Sequence, residues 1–451
     1  MAMSLLEVKL LEVAQNGTMD NPYTEVPLYV AEGGYSPKPG DGVTDVSETL
    51  TVYLLGSDAA GVQSSLAAVG RLLTHARERA KTKVGNLIYL AVRVSTETAW
   101  WGSEVVDGKI TLSELGVEGP LTTGRAEARL TLTRQGFFQR DTLAYPVLLN
   151  PNTDEQTLGA TIVGNCMDGS GETPFILANY FQIKEEDILG DLPAPIFFRI
   201  QNLSSTASLS KVHVGRILQK DKYDFTFSNF CQESSGYTDT SCSGDQYGSA
   251  SLSSNAETTL FSFELLAPFY DLGGDLFHVL ARFRSNGSLG NVKFRLKLLS
   301  NGVEVWKGPQ KRLANVELIQ ELGIASLPPG PWWQWNKFTL VVTGQRTTAV
   351  TETIQLDFLQ FFGRQYAKLW AMNSLGQYGQ IYYGGPLYEA DSYWGVERGV
   401  DVIVYGARSM VLLPGTDNGF LFLAQSDVAA SAPTDWCLYV NGEYYPRRST
   451  L

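Results

Sequence analysis

Apolar residues recur at Val62, Leu66, Val69, Leu73, Ala76 and Ala80, the 4-3-4-3-4 spacing that lays one stripe along an α-helix. Ser57 stands where an N-cap belongs, and Asp58 follows in the first turn. Arg77, Arg79 and Lys81 crowd the far end, where cations complement the helix dipole, and Gly85 offers a stop. The pattern predicts one helix over 58–81, with those six apolar residues packed on a β-sandwich.

Elsewhere the period is two. Strands are expected at 5–13, 49–55, 87–94, 99–106 and 126–133, the last with a strict Ala-Arg-Leu-Thr-Leu-Thr alternation at 128–133. Asp107-Gly108 between apolar runs reads as a hairpin turn, and so does Asn301-Gly302. Residues 1–148 therefore read as one sandwich with one helix. Residues 149–257 read as an irregular, strand-containing connection, part of an inserted domain, with strands at 196–200 and 212–218. A Ser/Gly/Thr/Asp stretch at 231–256 lacks periodicity and reads as a loop. From 258 to 363 evenly spaced strands indicate a jelly-roll sandwich. The segment 364–451 is too broken for its own core and is expected to complete the first domain.

Composition agrees with a mainly β chain. Of 451 residues, 44% are hydrophobic, 11% aromatic and only 18% charged, and 44 are glycine. The net charge of −12 does not suit a protein that grips nucleic acid. It suits a wall that repels DNA, or simply solubility. Glu7, Lys9 and Glu12 interrupt any signal-peptide core, and no run is apolar enough to span a bilayer, so no membrane insertion is expected. Four cysteines make no disulfide framework; Cys231 and Cys242 bracket a loop and could pair, but free thiols are the favoured expectation for a cytosolic product.

The chemistry-bearing motifs are missing. There is no Gly-x-Ser-x-Gly, no phosphate-cradling glycine loop followed by lysine, no His-Glu-x-x-His and no Cys-x-x-Cys. The three histidines, His75, His213 and His278, are scattered, and a packed or solvated role explains each. Glu185, Glu186, Asp187 and Asp391 offer carboxylate pairs, as any acidic chain does. Residues 168–172 read as a turn, without the acidic alternation of a calcium loop. No catalytic residue, metal or cofactor is expected, and the chain is not expected to be an enzyme. The best binding candidate is Trp332, Trp333, Trp335 and Asn336, where indole faces and an amide suit a sugar, or where the rings simply seal the end of the sandwich.

The order of parts from Val43 to Arg134 carries a likeness. A strand leads to a helix ending Arg71-Leu72-Leu73-Thr74-His75-Ala76-Arg77, then to a strand, a Trp-containing strand and the strand ending Ala-Arg-Leu-Thr-Leu-Thr-Arg. This block resembles tail components of long-tailed bacteriophages, and looks like the distal tail proteins and the tail-tube fold behind them. Ile354-Gln355-Leu356-Asp357-Phe358 is similar to galactose-binding-like or galectin-like jelly rolls, and Asn418-Gly419-Phe420-Leu421-Phe422 looks like a returning hairpin of the tail domain. The resemblance implies a tail-tube-like β-sandwich with one flanking helix, plus a peripheral jelly roll. It implies a structural virion protein, made in the host cytoplasm, that forms a homo-oligomeric ring, hexameric by the same likeness, at the distal tail or baseplate hub. Its partners would be tail-tube and hub proteins, the tape-measure protein or DNA passing through the lumen without specific binding, and a host-surface glycan. The alternatives are a major tail-tube protein with a decorating domain, and a carbohydrate-binding protein outside a virion.

Overall fold

In the computed structural model, the structure describes residues 6–15, 17–30, 35–112, 124–141, 143–145, 160–163, 180–202, 208–217, 237–238, 246–265, 276–284, 289–314, 319–326, 337–363, 365–376, 379–384, 394–397, 402–406, 410–425 and 437–450. The chain is mainly β, with one α-helix among the described residues.

The first unit holds β1 (Leu6–Val13), β2 (Thr24–Val30), β3 (Val46–Leu55), α1 (Ala59–Thr82), β4 (Leu87–Val94), β5 (Trp101–Leu112), β6 (Arg125–Arg134) and β7 (Phe138–Gln139). Hydrogen-bonded neighbours run β5-β4-β1-β2-β3-β6, and β5 also pairs with β6, so these six strands close into a barrel. Closure depends on β5 changing partner. Residues 101–104 pair with β4, and the rest of the strand, from Val105, pairs with β6 across a register shift between Val105 and Asp107. The Asp107-Gly108 pair, expected as a hairpin turn, lies instead inside this continuous strand, at its bulge. Packing explains the glycine: a Cβ on Gly108 would stand 2.8 Å from Leu73 Cδ2 of the helix. Asp107 meanwhile accepts from Arg77 Nε at 2.8 Å.

Strand alternation fills the barrel. Leu50, Val52 and Leu54 of β3 and Ala126, Ala128, Leu130 and Leu132 of β6 are buried in one cluster with the helix, while Thr49, Thr51 and Arg129 between them are exposed. The helix packs chiefly on β5 and approaches all six barrel strands. Its cap is Asp58 rather than Ser57. The Asp58 backbone is extended (φ −159°, ψ −173°), and its carboxylate accepts from Gly61 N at 2.8 Å. The helix stops at Lys83, a left-handed residue at φ 60° whose N–H returns to Arg79 O. Of the expected face, Val62, Val69, Leu73 and Ala76 are buried, and Leu66 is half-buried against the same cluster. Ala80 is half-buried at the margin, and Leu72 and Arg79 are buried members of the face that the spacing omitted.

The chain then enters a second unit through β8 (Leu143–Tyr145), β9 (Ala160–Val163), β10 (Tyr180–Ile183), β11 (Ala194–Asn202) and β12 (Leu209–Ile217). It leaves for a third unit built from β13 (Tyr237–Thr238), β14 (Gln246–Leu252), β15 (Thr258–Leu265), β16 (Leu276–Phe283), β17 (Val292–Ser300), β18 (Val303–Lys307), β19 (Lys311–Arg312), β20 (Ile319–Ser326), β21 (Phe338–Arg346) and β22 (Glu352–Phe362). It returns through β23 (Tyr366–Leu375), β24 (Gln380–Gly384), β25 (Trp394–Glu397), β26 (Val402–Gly406), β27 (Met410–Leu412), β28 (Asn418–Gln425), β29 (Cys437–Tyr444) and β30 (Arg447–Arg448).

The second unit is a sandwich of β10-β28-β12-β23-β26 on β25-β24-β11-β29-β8, with β27 on β11 and β9 on β29. The return segment 364–451 was expected to complete the first unit; most of it completes this sandwich. Ala367, Leu369, Phe420, Phe422 and Val440 bury themselves against Ile196, Phe198, Ile200, Val212 and Val214, which require partner strands of matching alternation. Among the described residues, β30 and its flanks reach the first unit, Arg447 and Arg448 pairing with Gln139 and Phe138. Segment 149–257 accordingly supplies β9 to β12 of the sandwich and β13 and β14 of the third unit.

The third unit packs β13-β14-β22-β16-β20 on β15-β21-β17-β18, with β19 beside β17. Its core is rich in phenylalanine, including Phe261, Phe263, Phe283, Phe294 and Phe358. Asn301 (φ 49°) and Gly302 (φ 81°) make the tight β17–β18 turn that their dipeptide predicts. The unit leaves from β12 and rejoins at β23, which are hydrogen-bonded neighbours. Insertion there asks only that the two ends of the guest lie close together.

The capping assignment is testable. Asp58→Ala should lower stability by about 1 kcal/mol, the usual cost of a lost N-cap. Ser57→Ala should stay within about 0.5 kcal/mol of the parent. Urea unfolding followed by helix circular dichroism measures both; a larger loss at Ser57 than at Asp58 overturns the assignment.

Candidate functional site

The most elaborate side-chain arrangement in the first unit lies where β5 passes from β4 to β6. Arg134, the last residue of β6, is fully buried. Its Nε donates to Glu48 Oε1 at 2.5 Å, Nη1 to Gln135 O at 3.0 Å and Nη2 to Lys38 O at 2.8 Å. Its guanidinium lies 4.3 Å over the Phe138 ring. Glu48 also accepts from Tyr35 Oη at 2.8 Å and from Lys38 N at 3.2 Å. Burial, then the Glu48 charge, pushes the Tyr35 phenol well above its ordinary range, so it stays a donor.

The chain continues through Gln135, whose Nε2 donates to Glu104 Oε2 at 2.8 Å. Glu104 Oε1 accepts from Arg79 Nε of the helix at 3.2 Å, and Arg79 Nη1 donates to Gly85 O at 3.1 Å. One polar chain thus joins the 35–38 segment, β3, β6, β5 and the end of α1. It holds charges in place and offers no free nucleophile or proton carrier. Glu48 accepts three hydrogen bonds, from Arg134, Tyr35 and Lys38.

Among the described residues, two outward surfaces of the barrel are open to contact. On the β3–β6 face, Ser47 and Thr133 share a hydroxyl hydrogen bond at 3.0 Å, and Thr49 and Thr131 one at 3.3 Å. Thr51 and Arg129 continue this exposed ladder, and Arg125 lies 3.8 Å over the Tyr53 ring at its end. The second surface is a seam. Among the described residues, β2 pairs with β3 at Tyr29↔Tyr53 and Val30↔Val52, and β1 pairs with β2 from Val8↔Leu28 to Glu12↔Thr24. Among the described residues, no strand lies along the other edge of 24–28. Tyr23 (78% exposed) and Tyr29 (49%) flank that edge.

The predicted binding residues Trp332, Trp333, Trp335 and Asn336 lie outside the described residues, as do Asp391, Cys231, Cys242 and 168–172. Among the described residues, no group of three or more His, Cys, Asp or Glu side chains is placed to hold a metal, and no helix is long and apolar enough to cross a membrane. Glu185, Glu186 and Asp187 form an exposed turn. Trp100 and Trp101 are packed, the first under Lys9 and Arg93, the second under Arg448. His75 lies 3.4 Å from Glu12. His213 and His278, apart in sequence, both reach Tyr366: His213 Nδ1 is 3.0 Å from its hydroxyl, and the His278 ring lies 4.5 Å from its ring.

Sequence reading missed the Glu48–Arg134 pair. A signal was present: Glu48, Leu50, Val52 and Leu54 share one register of β3, and Leu130, Leu132 and Arg134 share one of β6. An acid and a base each stand on an otherwise apolar face. No protein-family model matches the chain, and no curated protein matches it.

Removing one partner of this pair should be far worse than removing both. Arg134→Met alone leaves Glu48 buried and uncompensated and should cost about 3–5 kcal/mol. Adding Glu48→Leu should restore most of that loss. Thermal unfolding of the three variants measures the difference; a double variant as unstable as the single one contradicts the account.

Proposed function

We propose that this chain is a structural component of a long-tailed bacteriophage tail, assembling as a ring at the distal tail or baseplate hub around the DNA conduit. The observation that carries the reading is the helix-strapped six-stranded barrel, in which, among the described residues, no strand lies along the second edge of 24–28. A strand edge beside exposed tyrosines is a surface that a neighbouring copy can complete. Ring order of six follows the resemblance to tail proteins.

The absence of catalytic motifs from the sequence fits a chain whose task is shape. In this reading tail-tube and hub proteins stack above and below the barrel. The tape-measure protein and then DNA pass through the lumen without specific contacts, and the chain's net charge of −12 disfavours adhesion of phosphates. The jelly roll stands at the periphery, where repeated copies around a ring turn weak contacts with host-surface glycans into useful ones.

Light scattering and cryo-electron microscopy of the purified chain should show closed rings, and mass spectrometry should find the chain in purified particles. Tyr23→Asp with Tyr29→Asp should break the ring into monomers while leaving the melting temperature of the barrel within about 2 °C, since both rings are exposed. A chain that stays monomeric at high concentration and is missing from particles overturns the proposal.

A further inference from the structure

The five-stranded sheet of the second unit is covered on both faces. Along β12, Val212 and Val214 enter the sandwich core, while Lys211, His213 and Gly215 alternate to the other side. Along β28, Phe420 and Phe422 point inward, while Leu421 and Leu423 join the core of the jelly roll together with Tyr366 and Phe362. Gly215 is necessary here, because a Cβ would collide with the Phe362 ring. Phe362 stacks on Tyr366 at 5.4 Å between centroids. The inserted jelly roll is therefore docked onto the sheet it interrupts.

A histidine sits in the middle of this dock. His213 is 0% exposed; its Nδ1 meets Tyr366 Oη at 3.0 Å, and its Nε2 is buried with no hydrogen-bond partner among the described residues. The groups around it come from every packed element. β12 supplies Lys211, and β23 supplies Tyr366 and Lys368, the latter directly opposite His213 in the strand register. β16 supplies His278, which is held at 2.8 Å by Glu321 of β20, whose backbone oxygen takes Lys311 Nζ. β28 and β22 bring the apolar Leu421, Leu423 and Phe362. The charges that act on the ring, Lys368 and Lys211, are both cations, and the Glu321 carboxylate binds His278 and also feels Lys368.

We infer that this face is a pH-gated dock, in which His213 keeps the jelly roll seated on the second unit only while its imidazole is neutral. Burial, then the charges of Lys368 and Lys211, hold the docked imidazole well below the usual histidine range. Separated from the jelly roll, the ring faces water and titrates near its ordinary value of about 6.5. Undocking then takes up a proton below that pH, so the dock is at full strength above it and weakens as pH falls. Tyr366 serves either way as the neutral partner of Nδ1, so it does not offset a charge on the ring.

From pH 7.5 to 5.5 the docking equilibrium of the full chain should shift about tenfold toward the open form. Hydrogen exchange, corrected for its intrinsic pH dependence, reads this as lost protection at 211–215 and 361–369 while the cores of both units stay protected. His213→Gln, which keeps a polar partner for Tyr366 and cannot charge, should abolish the shift, and His278→Gln should not. Nitrogen chemical shifts of the unmodified chain give a second measurement should the variant fail to fold: His213 should remain neutral at pH 6. A His213 that titrates near 6.5 in the docked chain, protection independent of pH, or a shift that survives His213→Gln overturns the inference.

Discussion

The first unit depends on a charge pair that no water reaches. Glu48 and Arg134 face each other at the one place where the barrel must close, the end of β6 where β5 arrives from β4. Burying two charges is costly, and their attraction offsets the cost only when the remaining donors and lone pairs are satisfied. Here Tyr35 and Lys38 donate to Glu48, and the Gln135 and Lys38 carbonyl oxygens accept from Arg134. The pair therefore contributes less to net stability than to uniqueness. A β3–β6 register slipped by one residue would turn the inward set of one strand outward, its charge included, and leave the other charge buried alone. The same chain of bonds reaches Glu104 and Arg79, so the helix is locked to the closure it covers.

The other two units repeat the device with different partners. In the jelly roll, Arg282 of β16 and Asp357 of β22 form a fully buried ion pair across neighbouring strands. In the sandwich, Arg216 of β12 donates from Nη2 to Asn418 Oδ1 of β28 at 2.7 Å. Asn418 in turn binds the Leu413 backbone in both directions, at 2.8 Å each way. In each unit, then, a buried arginine ties two adjacent strands. In a chain with thirty short strands among its described residues, apolar alternation alone leaves many pairings nearly equal in energy. Buried polar locks of this kind separate them.

Much of this was legible in the sequence, for a physical reason. The helix and the strands 49–55 and 126–133 each bury one clean face, and a buried face writes its period into the chain; strand 87–94 is buried on both faces and reads as a nearly continuous apolar run. Asn301-Gly302 was legible because two successive positive φ angles demand it. What was hidden had no local cause. β2 carries Pro27 inside the strand, which reads as a loop unless its partner β1 is known. Asp107-Gly108 has turn chemistry but serves a bulge, because Leu73, far upstream, needs the space of the missing Cβ. β14 lies in a stretch of small polar residues and becomes a strand only through β22. The histidines looked scattered because the fold, not the spacing, brings two of them to Tyr366.

Nested insertion explains why the return segment misled. An interrupted sandwich leaves half its strands on either side of its guest, and each half alone looks too broken for a core. Strands β11 and β12 lie before the jelly roll, and β23, β28 and β29 after it, yet each of the first pairs directly with the second. The chain must therefore hold β11 and β12 without their partners until the guest has been made. Unpaired apolar strands are prone to wrong pairing during that interval. The polar residues on the outer face of β12, Lys211 and His213, keep it from presenting two apolar faces at once. The same residues later lie beneath the jelly roll, which is why a titratable ring and a cation come to be buried between two units that each have a core of their own.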